Sequence, residues 1–196
     1  MNPRDLLLSR WLLSRWLLPA ALLLPWCGAA PAQQAIVLRE PAAGLVAIDQ
    51  ALRDVGSDVV VLNVAAHPDG EGSRTSTMLR GKYGHRGNNA YPTSGDRGEN
   101  AIGREIGPAL AEIRVRETLR AAAMMDVEVR WLGMADFGFS KTLEETLEKW
   151  GADRLVDAMR EVVDRVDPDV ILTNHSLTRG HGHHRASIWA AMEVLK

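Results

Sequence analysis

The chain has 196 residues, 46% of them hydrophobic and 24% charged, with 9 prolines and a single cysteine. That length predicts one domain around one buried core, and the composition excludes a disordered chain. A formal net charge of -2 with no basic stripe excludes a nucleic-acid partner, because a phosphate-binding surface needs clustered positive charge.

Residues 1–32 read as an export signal rather than as part of the fold. Arg4, Arg10 and Arg15 make a positive leading region, Trp16 to Trp26 is a short apolar run, and Ala30-Pro31-Ala32 is a small-x-small cleavage site before Gln33. The uninterrupted apolar run falls short of the ~20 residues a spanning helix needs, so no stable membrane span is expected after cleavage. The expected location is periplasmic or extracellular. Cys27 lies inside this segment, so the mature chain is expected to have neither disulfides nor thiolate ligands. Any metal then falls to histidines and carboxylates.

Residues 33–57 form a leader to the domain at 58–196. Within it the spacing of Leu45, Ile48, Ala51 and Leu52 predicts a short helix from Gly44 to Val55. Asp58 to Ala66 (DVVVLNVAA) is nearly continuous in apolar and β-branched residues, the pattern of a central parallel strand covered on both faces. A helix is expected over Ser73 to Tyr83. Gly84 to Asn100 is expected to be mostly loop, because Gly87, Asn88, Asn89 and Pro92 oppose a strand. Pro108 to Met125 predicts a helix, Val127 to Leu132 a strand, and Thr142 to Trp150 a short polar helix. The stripe of Leu155, Val156, Met159, Val162, Val163 and Val166 predicts a helix over Asp153 to Val166, ended by Asp167-Pro168. Asp169 to Thr173 is a second buried strand, Asn174 to Gly182 a loop, and His184 to Leu195 a last helix.

Alternating strands and helices imply an α/β, Rossmann-like, mostly parallel sheet with helices on both faces. In such sheets ligands bind beyond the carboxyl ends of the strands. His67-Pro68-Asp69 follows one buried strand and His181-Gly182-His183-His184 follows another, so both motifs belong to that edge. A hydrolytic metal ion needs a few firm nitrogen or oxygen ligands, an open position for water, a carboxylate to take the water proton and a donor for the oxyanion. His67 is a candidate ligand and Asp69, two residues on, a candidate general base. His181 and His184, three apart, project to one side of a helix start, so that one can ligate and the other can face the oxyanion. His85 and His175 read as surface residues. A nucleotide site is the competing reading for this fold, and no GxGxxG follows the first strand.

Ala66-His67-Pro68-Asp69-Gly70-Glu71 and His181-Gly182-His183-His184 resemble the AHPDDE and HxxH motifs of the PIG-L or LmbE-like N-acetylglucosaminyl deacetylases. The stretches Gly72 to Thr75, Gly95 to Asn100, Arg114 to Glu117 and Asp136 to Ser140 are similar to a secreted bacterial branch, and the resemblance runs from Val59 to the chain end. It implies a zinc-dependent enzyme, with other divalent ions as alternatives, that removes an N-acetyl group from an N-acetylglucosamine-type sugar or glycoconjugate. It implies His67 and His184 as metal ligands, Asp69 as general base and His181 as oxyanion donor or acid.

The family's second aspartate, also a ligand, is Gly70 here, and a glycine cannot ligate. Losing it weakens metal affinity beyond the ~10- to 100-fold typical of changes outside the ligand set. Glu71 is the candidate substitute ligand. The alternative reading is an impaired relative that binds a glycan or metal without turnover. Against the family pattern, the chain also reads as a fragment, stopping one helix after the second motif.

Overall fold

A computed structural model describes residues 43–196, all within one compact unit. The export segment at 1–32 and leader residues 33–42 lie outside the described residues. The element order is α1 (Gly44–Val55), β1 (Val60–Val64), α2 (Ser73–Tyr83), β2 (Arg86–Tyr91), α3 (Pro108–Met125), β3 (Val127–Trp131), α4 (Leu143–Trp150), α5 (Ala152–Val166), β4 (Val170–Leu172) and α6 (Gly182–Val194). Among the described residues no helix is long and apolar enough to cross a membrane.

The four strands form a parallel sheet in the order β3-β2-β1-β4. All five residues of β1 are buried, as its continuous apolar run requires of a strand covered on both faces. Leu62 and Val64 pack with Leu155, Met159 and Ala190 of α5 and α6, whereas Ala65 packs with Ala122 and Met125 of α3. Helices therefore cover both faces of the sheet. The chain winds outward from β1 to β2 and β3, then returns to place β4 on the other side of β1. This reversal puts the loops after β1 and β4 side by side, at the position where open α/β sheets bind ligands.

Arg86–Tyr91, expected as loop, is an interior strand between β1 and β3. The flanking ladders supply its backbone hydrogen bonds, so tertiary context overrides the poor strand propensity of Gly and Asn. Gly87 is required by closeness: a Cβ there would stand 2.5 Å from Val127 Cγ1. Asn88 and Asn89 are buried, and Asn88 Oδ1 accepts from Arg130 Nε at 3.3 Å. The α1 stripe differs from an ordinary packed helix face, since Leu45, Ile48 and Leu52 are all exposed.

Side chains at both ends of β4 clasp β1. The N–H of Val60 donates to Asp169 Oδ2 at 2.8 Å, and the N–H of Ala66 donates to His175 Nε2 at 2.9 Å.

Candidate active site

The first motif is a tight turn. Gly70 N–H donates to the His67 carbonyl at 3.3 Å, with Pro68 second and Asp69 third at a φ of 81°. Proline at the second position and a positive φ at the third define a type II turn. Glycine is the favoured third residue, so Asp69 holds a left-handed backbone at some cost, and such strain gathers at functional sites. The turn leaves the Asp69 side chain 72% exposed, with Oδ1 3.4 Å from His67 Nδ1.

The second motif opens α6. Gly182 is the first helical residue because the helix start lies against α4, and a Cβ there would collide with the Thr142 carbonyl and Thr146 Oγ1. Gly182 N–H donates to the Ser140 carbonyl at 2.9 Å, and His183 N–H to Ser140 Oγ at 2.7 Å. These bonds satisfy two of the free amides of a helix start. His181, one residue before the helix, and His184, in its first turn, face the same side.

The two motifs meet. His67 Nε2 lies 3.2 Å from His184 Nε2 and 3.5 Å from His181 Nε2. Two nitrogens on one tetrahedral ion, each at a bond length of about 2.0–2.1 Å, stand roughly 3.3 Å apart, so this spacing fits a metal such as zinc. Among the described residues His67, His181 and His184 form the one His, Asp or Glu group close enough to share an ion. Glu71 is outside that group. Its carboxylate is buried, where Oε1 accepts from Ser73 Oγ at 2.7 Å. Its neighbour Tyr91 is held strongly protonated by burial and by the Glu71 carboxylate.

Gly70 leaves room rather than a ligand. A Cβ at this position would stand 3.4 Å from the His67 carbonyl oxygen and 3.5 Å from both Ala65 Cβ and His175 Cε1, which are tolerable contacts. His175, expected on the surface, instead belongs to the site. Its ring is half-buried and stacks on His184 with centroids 4.1 Å apart, while its Nε2 accepts the last amide of the β1 run. His85, also expected on the surface, is half-buried with Nδ1 2.7 Å from Ser57 Oγ, just before β2 and outside the cleft that holds the two motifs.

Burial decides most of the protonation. It pushes the His184 imidazole down to about 3, aided by the neighbouring imidazoles, and His175 down to about 4. His183, stacked on Trp150 at 4.6 Å and edge-on to Phe137, is driven to about 3 by burial. His181 is lowered for the same reason. Burial also pulls on His67, but the Asp69 carboxylate and the Pro68 carbonyl outweigh it and raise the imidazole. Asp69 is held below its usual range chiefly by the hydrogen bond to His67. At neutral pH the site therefore offers neutral imidazoles at His175, His181 and His184 beside an ionised Asp69.

A cleft of about 350 Å³ opens over these groups, lined among others by His67, Asp69, Arg97, Arg114, Asp136 and His181. The segments at Gly95 to Glu99 and Asp136 to Phe139 form its walls. Their sequence likeness to deacetylases was the only sign of that position, since neither carries a self-sufficient motif. Gly95, at a φ of 73°, and Gly98 both lie against the Arg114 guanidinium, whose Nη2 donates to the Glu99 carbonyl at 3.1 Å.

Comparison with known proteins agrees with this geometry. The structure is similar to the N,N'-diacetylchitobiose deacetylase of Pyrococcus horikoshii, with a TM-score of 0.52 and 21% identity over 81% of this chain and 60% of that one. It is also similar to GalB, the 4-carboxy-2-hydroxymuconate hydratase of Pseudomonas putida KT2440, with a TM-score of 0.51 and 19% identity over 69% of this chain and 54% of that one. The chain thus spans a little over half the length of these structures, and at such identity the likeness is one of fold. A fold shared by a deacetylase and a hydratase does not by itself choose the chemistry. The family model for GlcNAc-PI de-N-acetylase matches residues 62–195, which include both histidine motifs and the cleft walls, and the chain therefore belongs to the PIG-L family.

Proposed function

We propose that the protein is an exported, metal-dependent N-deacetylase acting on an N-acetylglucosamine-type sugar or glycoconjugate. Family membership supports a deacetylase-type reaction. The observation that carries the reading is the convergence of the His67, His181 and His184 Nε2 atoms beside an ionised Asp69 in an open cleft.

His67 and His184 would hold the ion, which the family resemblance implies is zinc and which imidazole donors suit. When bound, the ion acidifies water and polarises the amide carbonyl. Asp69 is ionised and exposed to the cleft, so it accepts the proton of the attacking water. The imidazole of His181 faces the carbonyl oxygen and stabilises its developing charge. Proton return to nitrogen releases acetate and a free amine. Export rests on the segment at 1–32, and N-terminal sequencing of secreted protein beginning at Gln33 tests it.

One observation favours a second reading. Gly70 removes a ligand carboxylate, and Glu71 is turned away toward Ser73, which suits a protein that binds a glycan or metal without turnover. Metal content after dialysis and acetate release from N-acetylglucosamine conjugates separate the two. About one zinc per chain with acetate release supports the enzyme, and the absence of both defeats it.

A further inference from the structure

Ser140 lies between α6 and the cleft wall, fully buried, and among the described residues its hydroxyl has two hydrogen-bonding neighbours. One is the His183 N–H at 2.7 Å, the other His181 Nδ1 at 3.1 Å. A main-chain N–H can only donate, so Oγ is the acceptor in the first bond. Among the described residues the hydroxyl hydrogen then has a single acceptor within reach, which is Nδ1 of His181. The reverse arrangement, with Nδ1–H donating to Oγ, strands a buried hydroxyl hydrogen, and buried donors are seldom left unmade. A neutral imidazole that accepts at Nδ1 carries its hydrogen on Nε2.

We propose that Ser140 is a positioning residue that fixes His181 as the Nε2–H tautomer. The nitrogen that faces His67 at 3.5 Å is then a hydrogen-bond donor and not a lone pair. Two consequences follow for the three-imidazole group. His181 does not serve as the third metal ligand that Gly70 leaves missing, although its position would allow it. It is instead preset to donate to an oxygen that gains negative charge. The Ser140 carbonyl, which accepts the Gly182 N–H at 2.9 Å, holds the helix start so that the ring cannot drift from its partner. The identity of that oxygen as an amide carbonyl rests on the deacetylase reading, while the tautomer does not.

The test is a long-range 1H–15N correlation spectrum of labelled, chelator-treated full-length protein, with the His181 signals assigned by their loss in His181→Gln. Nδ1 is expected as the unprotonated nitrogen and Nε2 as the protonated one. In Ser140→Ala the preference should collapse to a mixture. The expected kinetic loss is about 10- to 100-fold in kcat with KM unchanged, the range for removing a partner that orients a site imidazole. A wild-type spectrum with hydrogen on Nδ1 overturns the proposal, and that measurement does not depend on the variant folding. Acetate release is measured separately. An Nε2–H tautomer without turnover upholds the role of Ser140 and sinks only the deacetylase reading, whereas Nδ1–H with turnover does the opposite.

Discussion

The side chain of His175 completes a main-chain ladder: its Nε2 accepts the Ala66 N–H at 2.9 Å across 109 positions of sequence. β4 ends at Leu172, too early to pair with this amide. Ala66 is fully buried, and an amide without an acceptor there costs about 1–3 kcal/mol. His175→Ala should lose that amount in urea unfolding and weaken the seat of His184, on which its ring stacks. A change under about 0.5 kcal/mol, the ordinary scatter of surface substitutions, would show that water replaces the imidazole at no loss.

Asp69 offers a separation of turn from chemistry. Asparagine tolerates a positive φ as aspartate does, so Asp69→Asn should keep the type II turn and leave stability within about 0.5 kcal/mol. It removes the proposed proton acceptor, and kcat for acetate release should fall about 100-fold or more. Retained activity in a folded Asp69→Asn protein would remove this residue from the role of base.

Gly70→Asp should restore a ligand. The backbone there is not left-handed, and the nearest atoms to a new Cβ stand at 3.4–3.5 Å. The variant should fold and should bind zinc more than about 10-fold tighter by competition with a chromophoric chelator. Unchanged affinity would mean that the carboxylate, flanked by His175, does not reach the imidazole pair.

Acid should destabilise the metal-free protein. In the unfolded chain an imidazole takes its proton near pH 6.5, whereas His175 in the fold does so only near pH 4, and His183 and His184 near pH 3. Below pH 6.5 the unfolded chain therefore binds more protons, and stability falls toward pH 3. His67, raised in the fold, opposes this: its contribution is present below pH 6.5 and is lost as pH rises through its folded value. With His181, also lowered, the depressed imidazoles number four and outweigh it. Urea midpoints should drop between about pH 7 and pH 5, and a flat or rising profile would contradict the buried, neutral state of these rings.

The parts of the site legible in sequence are those whose signals are local. β1 announces itself by a continuous apolar run, and the two motifs that follow strands fall on one edge as parallel topology requires. β2 was hidden because Gly87, Asn88 and Asn89 are strand-poor, and only the backbones on either side make a strand of them. His175 was hidden for a different reason: its partner is a main-chain amide, which no residue type marks. Ser140 gains its place from two amides of a helix that begins 42 residues later at Gly182, and nothing in the residues around it signals a contact with His181.

The reversal that sets β4 beside β1 also orders events in time. Both clasps of β1, from Asp169 and from His175, close loops of 109 positions, and the His67 to His184 contact closes one of 117. Closing such loops costs chain entropy before any contact repays it, so pairings of this range form late. During synthesis, His67 emerges long before the residues that give it partners, and a nascent chain that ends with β4 has one site imidazole where the finished protein has a cluster. The assembled three-imidazole group is thus a timestamp of completed topology, gained when β4 and α6 join the sheet and not before.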